Sequence, residues 1–246
     1  MSGVSKWSLP PKSVSLQTGE VHVWRIDLEQ PDDFLEKFRA TLDPDELERA
    51  GRFHFEKHRR HFIAGRGFLR DVLSRYLETR PAALKFSYGA YGKPALAGEH
   101  EQSSVRFNMS HSHNVALLAI TEAKQLGVDV ERIRADFATE DIARRFFSRV
   151  EVDCFNALPG EEQAAAFFRC WTRKEAFIKA TGKGLSQSLD SFDVTLAPAT
   201  PAALLRVEGG DASRWSMTDI DVEADYAASL VVEGVISKME WWLAAE

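Results

Sequence analysis

Leu126-Gly127-Val128-Asp129-Val130-Glu131 alternates apolar and polar residues, the period of a β-strand with one covered face. In that reading Leu126, Val128 and Val130 point one way, and Asp129 and Glu131 project together from the other face. Two neighbouring carboxylates repel each other unless a positive charge lies between them. A hard cation that prefers oxygen ligands, such as Mg2+, satisfies them. The plainer alternative is an exposed strand end with two solvated acids, because D-x-E alone is a weak signal.

Downstream, Cys170-Trp171-Thr172-Arg173-Lys174-Glu175-Ala176-Phe177-Ile178-Lys179 has helical character. Trp171, Glu175 and Lys179 follow at i, i+4 and i+8 and share one stripe, with Phe167, Phe168, Phe177 and Ile178 as packing around it. A third carboxylate is thereby held one turn from an ammonium. Read plainly, Glu175 and Lys179 are a surface pair contributing ~0.3–0.5 kcal/mol. Trp171 on the same stripe is what that plain reading has to explain. Gly182-Lys183-Gly184-Leu185 ends the helix at once. Upstream, Phe107-Asn108-Met109-Ser110-His111-Ser112-His113 precedes an apolar strand. His111 and His113 lack Cys or His partners at zinc spacing. Ser110 and Ser112 lack the G-x-S-x-G elbow of a hydrolase nucleophile. Ser and His at a strand start are also suited to contacting a phosphate.

Around these stretches the chain reads as mixed. A strand is expected at 20–28, with Val21, Val23, Trp24 and Ile26 inward, and a helix near 32–42. Asp43-Pro44-Asp45-Glu46 is a helix start with a capping box, and helical periodicity runs from there to about Glu78 with a break near 53–56. Between Arg52 and Arg75 this region holds seven Lys/Arg against Glu56 and Asp71, either a solvated face or an anion site. Strands are expected at 85–88 and 105–108 around the turn 89–94, and 115–121 with 125–132 reads as a hairpin. Helices at 139–147, 151–157 and 160–181 precede strands at 192–196, 204–207, 215–219, 226–232 and 239–243. Each half carries helices and then strands, with a seam near 122–125 and no low-complexity linker. The expected division is an extended arm over 1–19, an N-terminal half over 20–122 and a C-terminal half over 123–246, tightly joined.

The 246 residues are 44% hydrophobic and 28% charged, ordinary for a globular protein with a real core. The net charge of −6 is concentrated late: residues 201–246 carry nine of the 37 acidic side chains and three of the 31 basic ones. That balance gives no support for nucleic-acid binding. There is no apolar run of membrane-spanning length and no basic-then-apolar leader. Cys154 and Cys170 fit no metal or redox pattern, so two reduced cysteines in a cytoplasmic protein are expected.

Taken together and in order, Gly127–Glu131 and Trp171–Lys179 resemble the two signature motifs of the 4′-phosphopantetheinyl transferase superfamily. Tyr91-Gly92-Lys93-Pro94, Phe107–Ser112, Arg145-Phe146-Phe147-Ser148 and Gly182–Leu185 are similar to further motifs of that family. The resemblance spans roughly residues 40–196, and the length matches the surfactin-synthetase-activating type. It implies an α+β fold of two similar α/β halves in one chain, a pseudo-dimer, with the active site in the cleft between them, working as a monomer. It implies transfer of the phosphopantetheine arm of coenzyme A to a serine of an apo carrier protein of fatty-acid, polyketide or nonribosomal-peptide type, with release of 3′,5′-ADP. On this resemblance Asp129, Glu131 and Glu175 bind Mg2+, and Lys179 contacts the pyrophosphate and offsets charge on the leaving group. Lys93 and His111 contact phosphates of coenzyme A, Ser110 assists, and Arg49 serves the nucleotide. Glu175 is the candidate for taking the serine proton, directly or through a water, and a metal-bound water is the competing base. Glu46 and Phe62 stand where the family leads one to expect a basic and a hydroxyl residue, which makes Arg52 or Arg66 a substitute.

Two other readings use the same residues. A Mg2+-dependent nuclease also uses D-x-E with a distant Glu and Lys, but it commonly has a lysine two residues after the strand carboxylate, where Ile133 stands. A carrier-binding module without activity has no need of an intact Asp129, Glu131, Glu175 and Lys179.

Overall fold

A computed structural model describes residues 6–89 and 91–244, the side chain of Leu185 excepted. Residues 1–5 of the expected arm, Ala90 in the expected turn and the last two residues lie outside the described residues. No helix among them is long and apolar enough to cross a membrane.

Twice in succession the chain runs a strand, two short helices, a long helix, a hairpin and two more strands. The first pass is β1 (Glu20–Asp27), α1 (Asp32–Arg39), α2 (Pro44–Gly51), α3 (Glu56–Tyr76), β2 (Lys85–Tyr88), β3 (Pro94–Ala97), β4 (Val105–Ser112) and β5 (Val115–Glu122). The second is β6 (Leu126–Arg132), α4 (Glu140–Phe146), α5 (Arg149–Asn156), α6 (Gly160–Thr181), β7 (Phe192–Val194), β8 (Leu204–Val207), β9 (Trp215–Asp219) and β10 (Tyr226–Glu233), after which β11 (Lys238–Leu243) closes the chain. The sheets repeat too: β11-β1-β5-β4 in one half and β6-β10-β9 in the other, each with first, last and penultimate strands as neighbours. The α+β class with two similar halves is therefore present in the topology itself, although no sequence repeat announces it.

Local chemistry explains most boundaries. Asp43 and Glu46 form the capping box of α2, with Pro44 in its first turn. Residues 52–55 break the helical region before α3, as its sequence predicts. Gly182, at φ 68°, takes the left-handed conformation that ends α6.

Three apolar clusters set the layers. Helix α3 covers one face of the first sheet through Phe68, Leu69, Val72 and Leu73 against Trp24, Ile26, Leu118 and Ile120. Helix α6 and its neighbours cover the outer face of the second sheet. Between the sheets, twelve buried residues, among them Val21, Val23, Leu117, Val128, Val130 and Leu230, pack the halves together. Burial of each large aliphatic side chain contributes roughly 1.5–3 kcal/mol. The halves thus share an apolar layer between their sheets. Strand β1 has both faces in these clusters, which is why Val21 and Val23 and also Trp24 and Ile26 are buried despite pointing opposite ways.

One expectation is overturned. Residues 115–121 and 125–132 are not a hairpin: β5 pairs with β1 and β4, and β6 pairs with β10. Both edges of β5 are taken, so the chain turns at Ala123, φ 53°, and crosses into the other sheet. Two smaller differences follow from tertiary pairing. The expected turn leads into a strand that was not expected: β3 forms against β2, with Pro94 at its first residue, a position that needs no ladder donor. Strand β4 runs on through Ser112, so Ser110 and His111 lie within a strand. Finally, β11 pairs parallel to β1, returning the chain to the first sheet, and Ser8 of the N-terminal arm bridges to Trp242 on it.

Candidate functional site

Gly127 decides how near α6 comes to β6. A β-carbon there would lie 2.9 Å from the carbonyl carbon of Lys179 and nearer still to main-chain atoms of Ala176 and Ala180. With no side chain in the way, the helix lies directly on the strand, and its residues 175 and 179 come level with residues 129 and 131. Trp171, at the start of the same stripe, stacks on Phe167 at 5.9 Å and meets Phe146 edge-on at 5.4 Å. The stripe thus runs from an aromatic packing end to a polar working end.

At the working end Lys179 Nζ lies 2.6 Å from Asp129 Oδ1 and donates to Ser110 Oγ at 2.8 Å. Ser110 Oγ in turn donates to Asp129 Oδ1 at 2.8 Å. The plain alternative, a surface pair of Glu175 with Lys179, is not what forms, because the lysine meets the deeper carboxylate of Asp129. Asp129 is 2% exposed, and its second oxygen, Oδ2, is buried without a hydrogen-bond partner among the described residues. An orphaned buried carboxylate oxygen is costly and points to a missing positive partner. Glu131 accepts from Ser112 Oγ at 2.8 Å. Burial raises its pKa first, and the charge of Asp129 raises it further. Glu175 is raised by the same causes in the same order, with a smaller contribution from Glu131. Three carboxylates from a strand and a helix therefore feel one another in a poorly solvated corner with one ammonium among them. The donor set fits a hard divalent cation, although among the described residues no three such side chains are drawn tightly enough to close around an ion.

The other expected residues distribute as follows. Lys93 donates to the carbonyls of Leu126 at 3.1 Å and Lys179 at 2.6 Å, tying the β2–β3 loop to the start of β6 and the end of α6. Burial, and then the Lys179 charge, lower it to about 8. An ammonium has three donors, so one remains for a ligand. Lys93 also lines a cleft of about 470 Å³ along the seam, with Arg106, Lys124 and Gly182 on its walls. His111, one residue from Ser110, is lowered by desolvation and then by Lys179. Arg49 stands apart on α2 with its guanidinium 5.2 Å from the Phe62 ring.

The basic region carries less free charge than its sequence promises. Each of its seven cations has a carboxylate partner: Arg52 with Glu48, Lys57 with Glu29, Arg59 with Glu56, Arg60 with Asp32, Arg66 and Arg70 with Glu46, and Arg75 with Asp71. These pairings fit the solvated-face reading of that helix: Glu29, Asp32, Glu46 and Glu48 from earlier in the chain join its own Glu56 and Asp71. Glu46 is the hub, 5% exposed, and it engages Arg66 and Arg70, whereas Arg52 pairs with Glu48 at the exposed surface. Arg49 has no ion pair among the described residues.

Several supporting residues escaped sequence reasoning. Lys174 is fully buried, 2.7 Å from Glu151, and donates to the carbonyls of Leu189 and Phe192. Glu151 also accepts from the amides of Ser148 and Val194. Arg173, equally buried, donates to Asp219 from Nε at 2.9 Å. These two cations lock α6 in rotation about its axis, so that Glu175 and Lys179 face β6. The Ser148-x-x-Glu151 capping box was a readable signal, but its use as a lysine partner was not. Asn108 Oδ1 accepts from the Val128 amide at 2.8 Å, a link between the halves that the alternation Asn108, Ser110, Ser112 hints at.

Residues 29–123 match the family described as 4′-phosphopantetheinyl transferase, N-terminal, and residues 125–231 match the family described as 4′-phosphopantetheinyl transferase superfamily. The two matches meet at the crossing between β5 and β6. The 4′-phosphopantetheinyl transferase HetI of Nostoc sp. is 40% identical over 236 residues, covering 96% of this chain and 97% of that protein. The 4′-phosphopantetheinyl transferase Sfp of Bacillus subtilis is 34% identical over 161 residues, covering 65% of this chain and 69% of that protein.

Proposed function

The chain belongs to the 4′-phosphopantetheinyl transferase superfamily, and from that premise we propose how its own residues carry out the transfer. As a member it is a 4′-phosphopantetheinyl transferase that activates carrier proteins, with coenzyme A as donor. The serine hydroxyl of the apo carrier attacks the β-phosphorus of coenzyme A. A new phosphodiester bond forms to the serine oxygen, the bond from the β-phosphorus to the bridging oxygen breaks, and 3′,5′-ADP leaves. Such chemistry needs positioning and charge neutralisation rather than a covalent intermediate.

The observation that carries the assignment is the contact of Lys179 with Asp129 and Ser110, beside Glu131 and Glu175. Asp129, Glu131 and Glu175 are the candidates to hold Mg2+, which when bound neutralises the pyrophosphate and polarises its oxygens. The orphaned Asp129 Oδ2 supports this set. Glu175 accepts the serine proton. Its carboxylate takes no hydrogen bond from the described residues, and burial raises its pKa, the direction a general base working near neutrality requires. Lys179 offsets the charge that develops on the leaving oxygen. Lys93 uses its third donor on a phosphate oxygen, His111 contacts the nucleotide phosphates with Ser110 assisting, and Arg49 serves the same end of the ligand. Division at the seam into halves 20–122 and 123–246, with the arm before them, is the working frame. A monomeric, cytoplasmic enzyme fits the continuous core between the halves and the two free cysteines.

The test is intact-mass measurement of an apo carrier domain after incubation with the enzyme, coenzyme A and Mg2+. Gain of one phosphopantetheine arm is expected, from fatty-acid, polyketide or nonribosomal-peptide carriers. Asp129→Ala and Glu175→Ala are expected to abolish that gain with circular dichroism unchanged. Near wild-type loading by either variant refutes the site.

A further inference from the structure

Strands β4 and β6 are edge strands of different sheets, and they run side by side without a main-chain ladder. Edge strands leave main-chain donors unpaired. Here three side chains of β4, at two-residue spacing and so on one face, cross to meet β6. Asn108 Oδ1 accepts from the Val128 amide at 2.8 Å. Ser110 Oγ donates to Asp129 Oδ1 at 2.8 Å, and Ser112 Oγ donates to Glu131 Oε2 at the same distance. Ser112 Oγ also accepts from the Arg132 amide at 3.1 Å.

The two serines treat the two carboxylates alike. Each hydroxyl satisfies one oxygen and leaves the other: among the described residues Asp129 Oδ2 is buried without a partner, and Glu131 Oε1 takes no hydrogen bond. The Ser112 hydroxyl is itself held, because a main-chain amide occupies one lone pair and its single proton goes to Glu131. A glutamate has three side-chain torsions to order before it can serve as a ligand, and a fixed hydroxyl orders them in advance. The serine's proton is committed, so any effect on the reaction passes through the carboxylate.

We propose that Ser112 is a positioning residue for Glu131, as Ser110 is for Asp129, and that Asn108 sets the register in which both hydroxyls meet their carboxylates. This rests on the reading of Asp129, Glu131 and Glu175 as the cation ligands.

The test compares the wild-type enzyme with Ser112→Ala, Ser112→Thr and Asn108→Leu. Two quantities are read: the Mg2+ concentration for half-maximal carrier loading, and the Mg2+ concentration for half of the metal-induced rise in melting temperature, measured with coenzyme A and no carrier. Ser112→Ala is expected to need roughly ten- to a hundredfold more Mg2+ in both, the usual cost of removing a group that orients a metal ligand. Its KM for the carrier and its metal-free melting temperature stay at wild type. Ser112→Thr, which keeps the hydroxyl, returns towards wild type. Asn108→Leu raises the Mg2+ requirement and lowers the metal-free melting temperature as well. Wild-type Mg2+ dependence in Ser112→Ala overturns the proposal whatever its melting temperature, and so does a Ser112→Thr that is as impaired as the alanine variant. Wild-type Mg2+ dependence in Asn108→Leu overturns the register assignment. Absence of any Mg2+ effect on the wild-type enzyme is a separate result, and it removes the cation reading itself.

Discussion

Gly127→Ala adds one methyl group at the contact between β6 and α6. That β-carbon would sit 2.9 Å from the carbonyl carbon of Lys179 and closer to the Ala176 carbonyl oxygen and the Ala180 nitrogen. All three are main-chain atoms of a helix, so no side chain can swing aside. Non-bonded heavy atoms settle near 3.5–4 Å, so α6 has to retreat by roughly 1 Å. Overpacking of this kind costs about 1–3 kcal/mol, and rigid neighbours put the cost at the upper end. For a chain of this size that is a fall in melting temperature of roughly 6–12 °C. The same retreat carries Glu175 and Lys179 away from Asp129, and a 1 Å misplacement of reacting groups costs on the order of a hundredfold in rate. The assay is the initial rate of carrier loading by mass spectrometry, alongside thermal melting by circular dichroism. Gly160→Ala is the control, because a β-carbon at the first residue of the same helix meets nothing within 4 Å. A Gly127→Ala enzyme with unchanged melting and unchanged rate refutes the account of how α6 is brought to the strand.

Lys93→Ala is expected to raise the KM for coenzyme A, with a smaller effect on kcat, since its remaining donor serves binding; steady-state kinetics with an unchanged KM would remove it from the ligand contacts. Lys174→Met leaves Glu151 buried without its cation and is expected to cost about 3–5 kcal/mol in urea denaturation. A loss below 1 kcal/mol would show that the pair does not hold α6. The pH dependence follows from Glu131 and Glu175, both raised above 4.5 by burial first and then by Asp129. A carboxylate raised in the folded state contributes stability in full below its unfolded pKa, and that contribution is lost as pH rises through the folded value. The ligand-free enzyme therefore loses stability over that window, whereas cation binding, which needs both groups ionised, strengthens. The Mg2+-induced rise in melting temperature should grow across the same window, and a pH-independent rise in thermal-shift measurements contradicts the assignment.

Much of the site was legible because its signals are local. Strand alternation in Leu126–Glu131 put Asp129 and Glu131 on one face, and helical spacing put Glu175 and Lys179 on one stripe; both hold in the structure. The capping box at Asp43 and Glu46 and the stop at Gly182 are likewise short-range chemistry. The hairpin expected from 115–132 failed because pairing depends on which edges are already occupied, and β5 had none to spare. Which acids accompany the basic helix was not legible for a similar reason: Glu29, Asp32 and Glu46 lie 20 to 28 residues away in sequence.

By itself the sequence determined which residue types carry the chemistry and, through their ordered motifs, the family. It determined these because period, capping and spacing act over a few residues, where the chain has little choice. Only the tertiary structure decided that Lys179 answers Asp129 rather than Glu175, that Glu46 is the hub of an ion-pair cluster with Arg66 and Arg70, and that Gly127 is the gate through which α6 reaches β6. Those outcomes depend on competition among charged and packed groups from distant segments, and such competition is resolved only when the two sheets and the two long helices are brought together.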